Sequence, residues 1–489
     1  MHNAPMGTLE IFATYLVITI GIGLWAAKRG SDSQEDYFLG GRKSSAFAMA
    51  LSAVSSGRSA WLVLGASGAA WFTGLGAFWL FPGYILAEAV IFTTLGPRLR
   101  QRSVDTGALT VPEVFERCAQ GPAGPGTSKL PVRQLAGIVI ILFLWTYVSA
   151  QLVAGAKTLG AIFPEVDGRT WGLVITAGIV LVYTWLGGYR AVVITDVVQA
   201  LLMLAGIVLL PILGLVHVGG FDALMETLRA IDPNLVSLGS EPLVILGGFA
   251  IGLGSFGNPH ILVRHMTLED PTQAKTASRV GTSWNIVMAG GALAMGLVGR
   301  AMYPELELFA GGERELLYPT MAQDLANEYL FSGFVGFLLA TLFAAIMSTC
   351  DSQLLVIAAS LLRDLGPKRG STSGGGLMAG RLAVLVTLAG AVWMTFGSNP
   401  MVHNLVLLAW FALGVGLGPA TLMLLYDSRT SARGVFAGIL TGVLGIVGVW
   451  AIFLQESGVH VSWEAGPVFL ASMAVIFFLR APGHEGSIN

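Results

Sequence analysis

The sequence predicts an all-α, polytopic membrane protein of about 13 transmembrane helices. Three observations carry this. Of 489 residues, 54% are hydrophobic and 11% charged, with a mean hydropathy of +0.73; a soluble domain carries roughly 25% charged residues. Thirteen apolar runs approach or exceed the roughly 20 residues that cross a bilayer. Two of these runs, five spans apart, are interrupted midway by serine, glycine and proline. Interruptions of that kind leave backbone groups that only protein or a cavity can satisfy. A matched pair of broken helices points to a secondary transporter built from inverted repeats.

In chain order the predicted spans cover 8–27, 45–72, 76–96, 134–159, 170–187, 190–216, 242–263, 280–302, 330–362, 378–397, 401–425, 433–454 and 464–479. The first has no basic stretch before it and no small-residue cleavage site after it, so it reads as a retained helix. Residues 1–489 form a single transmembrane unit in this reading: an extra first helix (8–27), a first repeat (45–216), a second repeat (242–425) and two peripheral helices (433–479). The interruptions are Ser55, Ser56, Gly57 and Ser59 in the second span, and Gly252, Gly254, Gly257 and Pro259 in the seventh.

Charge sets the orientation. With the N-terminus outside, 21 of the 27 Lys and Arg residues fall on inner segments, which places the C-terminus in the cytoplasm of a bacterial cell. The outer segment 303–329 is acidic, and 371–376 reads as a short flexible linker. Cys118 and Cys350 read as free thiols. No phosphate-binding loop and no nucleophile–base pair is present, so neither ATP-driven transport nor an enzyme is expected. The expected partners are the lipid bilayer and a small polar solute, with no nucleic acid; no cofactor is expected, apart from Na⁺ as a coupling ion. Oligomeric state is open.

Two stretches concentrate the chemistry. Ala345–Gln353 reads AIMSTCDSQ and Ser55–Trp61 reads SSGRSAW, each inside an apolar run. Charged residues there are costly and mark functional sites by default. Ala345, Ser348 and Thr349 share a helix face through i, i+3, i+4 spacing. Their hydroxyls serve either to coordinate a small cation or to pack helices together.

Seven motifs in order then resemble the sodium:solute symporter family, and within it the bacterial sodium/proline symporters. They are Asp36–Arg42 (DYFLGGR), Ala50–Ala53 with Trp61, Ala108–Pro112, Gly187–Ala191 with Thr195, Asp196 and Gln199, Gly257–Leu262 with Arg264, Ala344–Thr349, and Ser352–Leu355. The resemblance implies a leucine-transporter-like 5+5 inverted repeat with one extra helix before it and two after. It implies Na⁺ symport of a small polar organic solute, an amino acid such as proline or a carboxylate, by alternating access. It also implies a sodium site made of the Ser55, Arg58 and Ala345 carbonyls and the Ser348 and Thr349 hydroxyls, with Asp196 nearby.

The chain departs from that pattern at its most informative place. Sodium/proline symporters have aspartate where this chain has Gly57, and an uncharged residue where it has Arg58. One acid lost and one base gained is a swing of +2. A unit charge ~5 Å away at an effective dielectric near 20 is worth about 3 kcal/mol, or roughly two decades of Na⁺ affinity, if the guanidinium faces the ion. Three readings of Arg58 stay open: a tethered cation replacing sodium, with Na⁺-independent or H⁺-coupled transport; an anchor for a substrate carboxylate; or a structural ion pair. Arginine holds its proton, so proton coupling would use Asp196, Asp351, Glu88 or a histidine. On the solute side, Ile251 and Ser255 stand where proline carriers have aromatics, while Pro259 is kept. The remaining candidates are Arg58, Ser59, Trp61, Tyr147 and Gln151, with Trp145 and Phe256 as further aromatics. Glu88 reads as a paired acid, His260 and Arg264 as gate contacts or interfacial anchors, and Asp36 and Arg42 as a pair or as lining of the inner exit. A membrane solute sensor of the same fold is the competing function. With only ~10 residues after the last span, no attached kinase is expected.

Overall fold

Apolar runs closed by glycine, proline and capping hydroxyls fold into a helical bundle. The computed structural model describes residues 6–27, 33–163, 167–305, 311–329, 333–366, 375–395, 402–453 and 463–482; most of the predicted linker at 371–376 lies outside them. Helix underlies each of the thirteen predicted runs. Among the described residues nine helices are long and apolar enough to cross a membrane by themselves. The bent pair Pro242–Ser255 and Pro259–His265 makes a tenth, and Thr170–Val182 and Ala465–Phe478 are shorter apolar helices.

Boundaries differ from expectation in two places. The second and third spans lie on one helical stretch, Ala46–Thr106. The turn between them is the tight segment Gly74–Leu80, entered at Gly74 with φ +65°. The next helix starts at Pro82, where a missing N–H costs nothing, and helical structure runs on to Thr106, beyond the predicted end. The fifth and sixth spans are likewise joined as Leu173–Val218, with a break at Gly188 (φ 56°, ψ −175°).

The ninth span, Gly333–Ala359, is the axis of the bundle. It packs against the first, second, fourth and sixth spans, and nearly all of its side chains are buried. Apolar side chains instead face outward on the first span (Val17, Ile18), the sixth (Leu201, Ile212), the twelfth (Leu444) and the thirteenth (Phe478). Lipid is the solvent for that face.

Both broken spans are held by named contacts. In the second, Ser59 has φ 48° and ψ −174°, a conformation nearly restricted to glycine. Its hydroxyl accepts from the Trp61 N–H at 3.1 Å and from the Tyr147 hydroxyl at 3.4 Å. The Ala60 N–H, orphaned by the break, donates to Gln151 Oε1 at 3.0 Å. In the seventh, the two halves bend by 55°. Asn258 Nδ2 donates to the Gly254 carbonyl at 2.8 Å and to the Trp410 carbonyl at 3.3 Å, and Trp410 Nε1 donates to the Ile251 carbonyl at 2.7 Å. Gly254 has to lack a side chain, because the Trp410 indole stands where its Cβ would project.

Gln151→Ala leaves the Ala60 N–H buried without an acceptor and is expected to cost about 1–3 kcal/mol. The check is thermal unfolding of the purified protein in lipid nanodiscs: Gln151→Ala lowers the midpoint, and Gln151→Met, which keeps the volume and lacks the acceptor, lowers it as well.

Candidate ion and solute site

The oxygen-rich end of the ninth span meets the second span just before its break. Ser348 Oγ lies 3.2 Å from the Ala345 carbonyl and Thr349 Oγ1 lies 3.1 Å from it. Thr349 Oγ1 also lies 3.2 Å from the Ser56 carbonyl of the second span. Two hydroxyls and two carbonyls from two helices thus converge, a donor set of the kind hard cations take. Ser55 is buried one residue earlier, its hydroxyl bonded to the Ser52 carbonyl at 3.3 Å.

Directly adjoining is a second polar cluster. Asp196 Oδ2 accepts from Ser52 Oγ at 2.5 Å, from Ser56 Oγ at 3.4 Å and from Arg264 Nη2 at 3.3 Å. Arg264 also donates through Nε to Ser52 Oγ at 3.0 Å and through Nη2 to Ser352 Oγ, and its guanidinium lies 4.9 Å from the centre of the Tyr189 ring. Ser352 Oγ is 2.8 Å from Ser56 Oγ and donates to the Ser348 carbonyl at 2.7 Å. Asp196 is therefore linked to the Ser348 turn through Ser56 and Ser352. Both Asp196 and Arg264 are fully buried. An interfacial anchor is ruled out for Arg264, and His260 is equally buried, its ring edge-on to Tyr147 at 5.8 Å. The half-helix Pro259–His265 turns inward after the 55° bend, which is why neither side chain reaches the interface.

Arg58 points elsewhere. Its Nη2 is ion-paired with Glu88 Oε1 of the third span, and its guanidinium stacks on Tyr84 with 3.8 Å to the ring centre. Glu88 is further held by Asn285 Nδ2 at 2.7 Å and Ser255 Oγ at 3.5 Å. The guanidinium does not replace an ion between the second and ninth spans. Its charge is offset by Glu88, so the expected swing of +2 falls to +1, the part due to Gly57. A side chain at 57 would meet Ile261 at 3.0 Å and Glu88 Oε1 at 3.7 Å, so the acid on the third span already fills the space beside that glycine.

A cavity of about 240 Å³ adjoins this pair, lined by Gly57, Arg58, Trp61, Tyr147, Ile251, Val406, Leu407 and Trp410. Trp61, Tyr147, Ile251 and Arg58 are thus brought together as candidates. Ser59 and Gln151 serve the break instead, and Ser255 serves Glu88. Pro259 lines a different cavity of about 380 Å³, together with Arg264, Tyr189 and Pro112. Trp145 packs toward Gly390 of the tenth span, and Phe256 toward Gly418 of the eleventh. Trp61 Nε1 donates to His403 Nδ1 at 3.1 Å. Asp36 and Arg42 are not paired: Arg42 bonds Glu35 at 2.5 Å, Ser103 at 2.7 Å and the Ala108 carbonyl at 2.8 Å, while Asp36 caps against Ser33. Sequence reasoning missed Ser52, Ser56 and Ser352 as site residues, and Trp410. Ser52 and Ser352 were detectable from their i, i+4 spacing to Ser56 and Ser348.

The profile of the sodium:solute symporter family matches residues 37–442. The chain belongs to that family. Among curated relatives, sodium/proline symporter 2 of Staphylococcus saprophyticus is 33% identical, with 98% of this chain and 93% of the relative covered. The high-affinity proline transporter PutP of Bacillus subtilis is 35% identical, with 94% of each covered. Among solved structures, a Na⁺-coupled sialic acid symporter in its substrate-bound outward-open state superposes with a TM-score of 0.78 at 19% identity, covering 98% of this chain and 99% of that one. Mhp1, a nucleobase-cation-symport-1 family transporter, gives 0.53 at 13% identity over 89% and 92%. The leucine-transporter-like fold expected of the symporter family is thereby established for this multi-pass membrane protein.

For the buried Asp196–Arg264 pair, removing one partner strands the other. Asp196→Ala is expected to cost about 3–5 kcal/mol. Asp196→Asn with Arg264→Gln, which removes both charges, recovers most of it. Unfolding midpoints of the three proteins in nanodiscs check this; equal losses in the single and double variants would contradict the pairing.

Proposed function

We propose that this symporter carries a small polar organic solute, an amino acid such as proline or another carboxylate, into the bacterial cell together with Na⁺. The observation that supports it most is the meeting of the Ala345 and Ser56 carbonyls at the Thr349 hydroxyl, with 3.1 and 3.2 Å separations. Na⁺ is cargo at this site. The Ala345, Ser348 and Thr349 oxygens supply the ninth span's share and the Ser56 carbonyl the second span's, with the Ser55 and Arg58 carbonyls as the further ligands that the family resemblance implies. A bound ion would tie the ninth span to the second where the latter is broken. Coupling requires that ion and solute each bind the outward- and inward-facing states unequally. Asp196 and Arg264 adjoin this place through Ser56 and Ser352, and the larger cavity is lined by Arg264 together with Leu109, Thr110 and Pro112 of the segment expected on the inner side. The membrane potential supplies about 2.3 kcal/mol per charge per 100 mV for inward movement.

Proteoliposome uptake of radiolabelled L-proline and a panel of small carboxylates, with and without an inward Na⁺ gradient, tests this. Flux of at least one solute is expected to require Na⁺, and Thr349→Val is expected to raise the Na⁺ concentration for half-maximal flux roughly tenfold, the equivalent of one lost hydroxyl contact. Flux indifferent to Na⁺ would instead support a Na⁺-independent or H⁺-coupled carrier, and solute binding without flux would support a sensor.

The orientation, with the N-terminus outside and the C-terminus cytoplasmic, is tested by impermeant maleimide labelling of whole cells. Ser237→Cys is expected to label in intact cells, and Ser428→Cys only after permeabilisation; both side chains are exposed. Native background is low, since Cys350 is buried and burial pushes the half-buried Cys118 thiol upward from its ordinary pKa.

A further inference from the structure

Arg58 is 1% exposed yet has a single acceptor, Glu88 Oε1, contacted through one of its three nitrogens. Its Nε has no hydrogen-bond partner. A guanidinium carries five N–H donors and cannot shed its charge. Glu88, by contrast, is well supplied, with Arg58 and Ser255 on Oε1 and Asn285 on Oε2. The pair is thus unbalanced: the acid is satisfied and the base is not. The missing acceptors have one place to come from. Arg58 lines the cavity of about 240 Å³, whose other walls are the Trp61, Tyr147 and Trp410 rings and the Ile251 side chain.

We propose that this cavity is the solute site and that Arg58 is its specificity-determining residue, accepting the carboxylate of a small monocarboxylate or amino acid whose apolar body lies among Trp61, Tyr147 and Trp410. The inference rests on the transport reading above and names the substrate class for it. Planar, bidentate capture of a carboxylate is what arginine geometry favours. Glu88 is the resident counter-ion: it keeps the buried guanidinium neutralised and oriented while the cavity is empty, and it competes with the incoming carboxylate. Asn285 and Ser255 hold Glu88 in place when the solute arrives. A monocarboxylate brings a charge of −1 to the neutral pair, which one co-transported Na⁺ balances; a zwitterionic amino acid brings none, and its co-transported Na⁺ then moves as net charge. Solutes that carry an amide in place of the carboxylate offer only one acceptor oxygen and no charge, and should be rejected.

The test pairs acids with their amides: L-proline and L-prolinamide, propionate and propionamide, phenylacetate and phenylacetamide. Na⁺-driven proteoliposome uptake of each radiolabelled solute and solute-induced thermal stabilisation are read for wild type, Glu88→Gln, and Arg58→Gln with Glu88→Gln. Wild type is expected to respond to at least one acid and to prefer it over its amide. Glu88→Gln, with the competing anion gone, lowers KM for that acid. The double variant, neutral and close in volume, raises KM by roughly 10- to 100-fold, the worth of a charge-assisted hydrogen bond, and loses the preference for acid over amide. Stabilisation by NaCl over choline chloride without solute shows that each variant is folded with its ion site intact. No acid outperforming its amide in wild type, or an unchanged preference in the double variant, overturns the proposal. Na⁺ stabilisation alongside that result leaves the coupling reading standing; acid preference without any Na⁺ effect removes the coupling reading and leaves this one.

Discussion

The break at Ser59 is the constraint from which the rest of the centre follows. A non-glycine residue with φ 48° and ψ −174° is strained, and strain of this kind persists only where the surroundings over-determine it. Here the fourth span supplies the determination, through Gln151 to the Ala60 N–H and Tyr147 to the Ser59 hydroxyl. Stopping the second span there leaves carbonyls near Ser56 available to the ninth span. It also turns Arg58 toward the third span and opens a cavity beside Gly57. An unbroken helix would bury all of these groups in its own ladder.

The two halves of the centre divide by charge. On one side Thr349, Ser348 and Ala345 offer oxygens without a formal charge, backed by Asp196, whose negative charge is matched by Arg264. On the other side Arg58 is matched by Glu88. Each of these four buried charges thus has a partner of opposite sign from another span, as the cost of an isolated charge in such surroundings demands. Because each pair joins two spans, a movement of one of those spans against the other would loosen it, and contacts unequal between two states are what coupling requires.

Much of this was legible in the amino-acid order. Apolar runs gave the spans, and the clustered serine, glycine and proline interruptions marked both broken helices, since backbone groups freed there must find protein or a cavity. Helical spacing and family likeness nominated Ala345, Ser348 and Thr349, whose oxygens lie together beside the Ser56 carbonyl. The direction of Arg58 was not legible. Arg58 and Glu88 are 30 positions apart, and nothing local to either indicates the other; only the packing of the third span on the seventh and eighth brings Glu88, Ser255 and Asn285 into one cluster. The same holds for Arg264, whose place near a predicted inner end suggested an interface. The bend after Ser255 carries it instead to Asp196. Trp145 and Phe256, nominated by aromatic character, do not line the cavity beside Arg58; the Trp145 ring packs toward Gly390 instead.

The central claim is that the cation place between the second and ninth spans belongs to Na⁺ and that Arg58 stays out of it. Binding of ²²Na⁺ to the purified protein, by scintillation proximity without solute, tests this most directly. The account predicts saturable binding by wild type, with affinity changed by no more than about threefold, well under the 1.4 kcal/mol of a tenfold effect, in Arg58→Met with Glu88→Gln. Absence of binding in wild type, with binding appearing only once Arg58 is removed, would contradict it and return the arginine to the place of the ion.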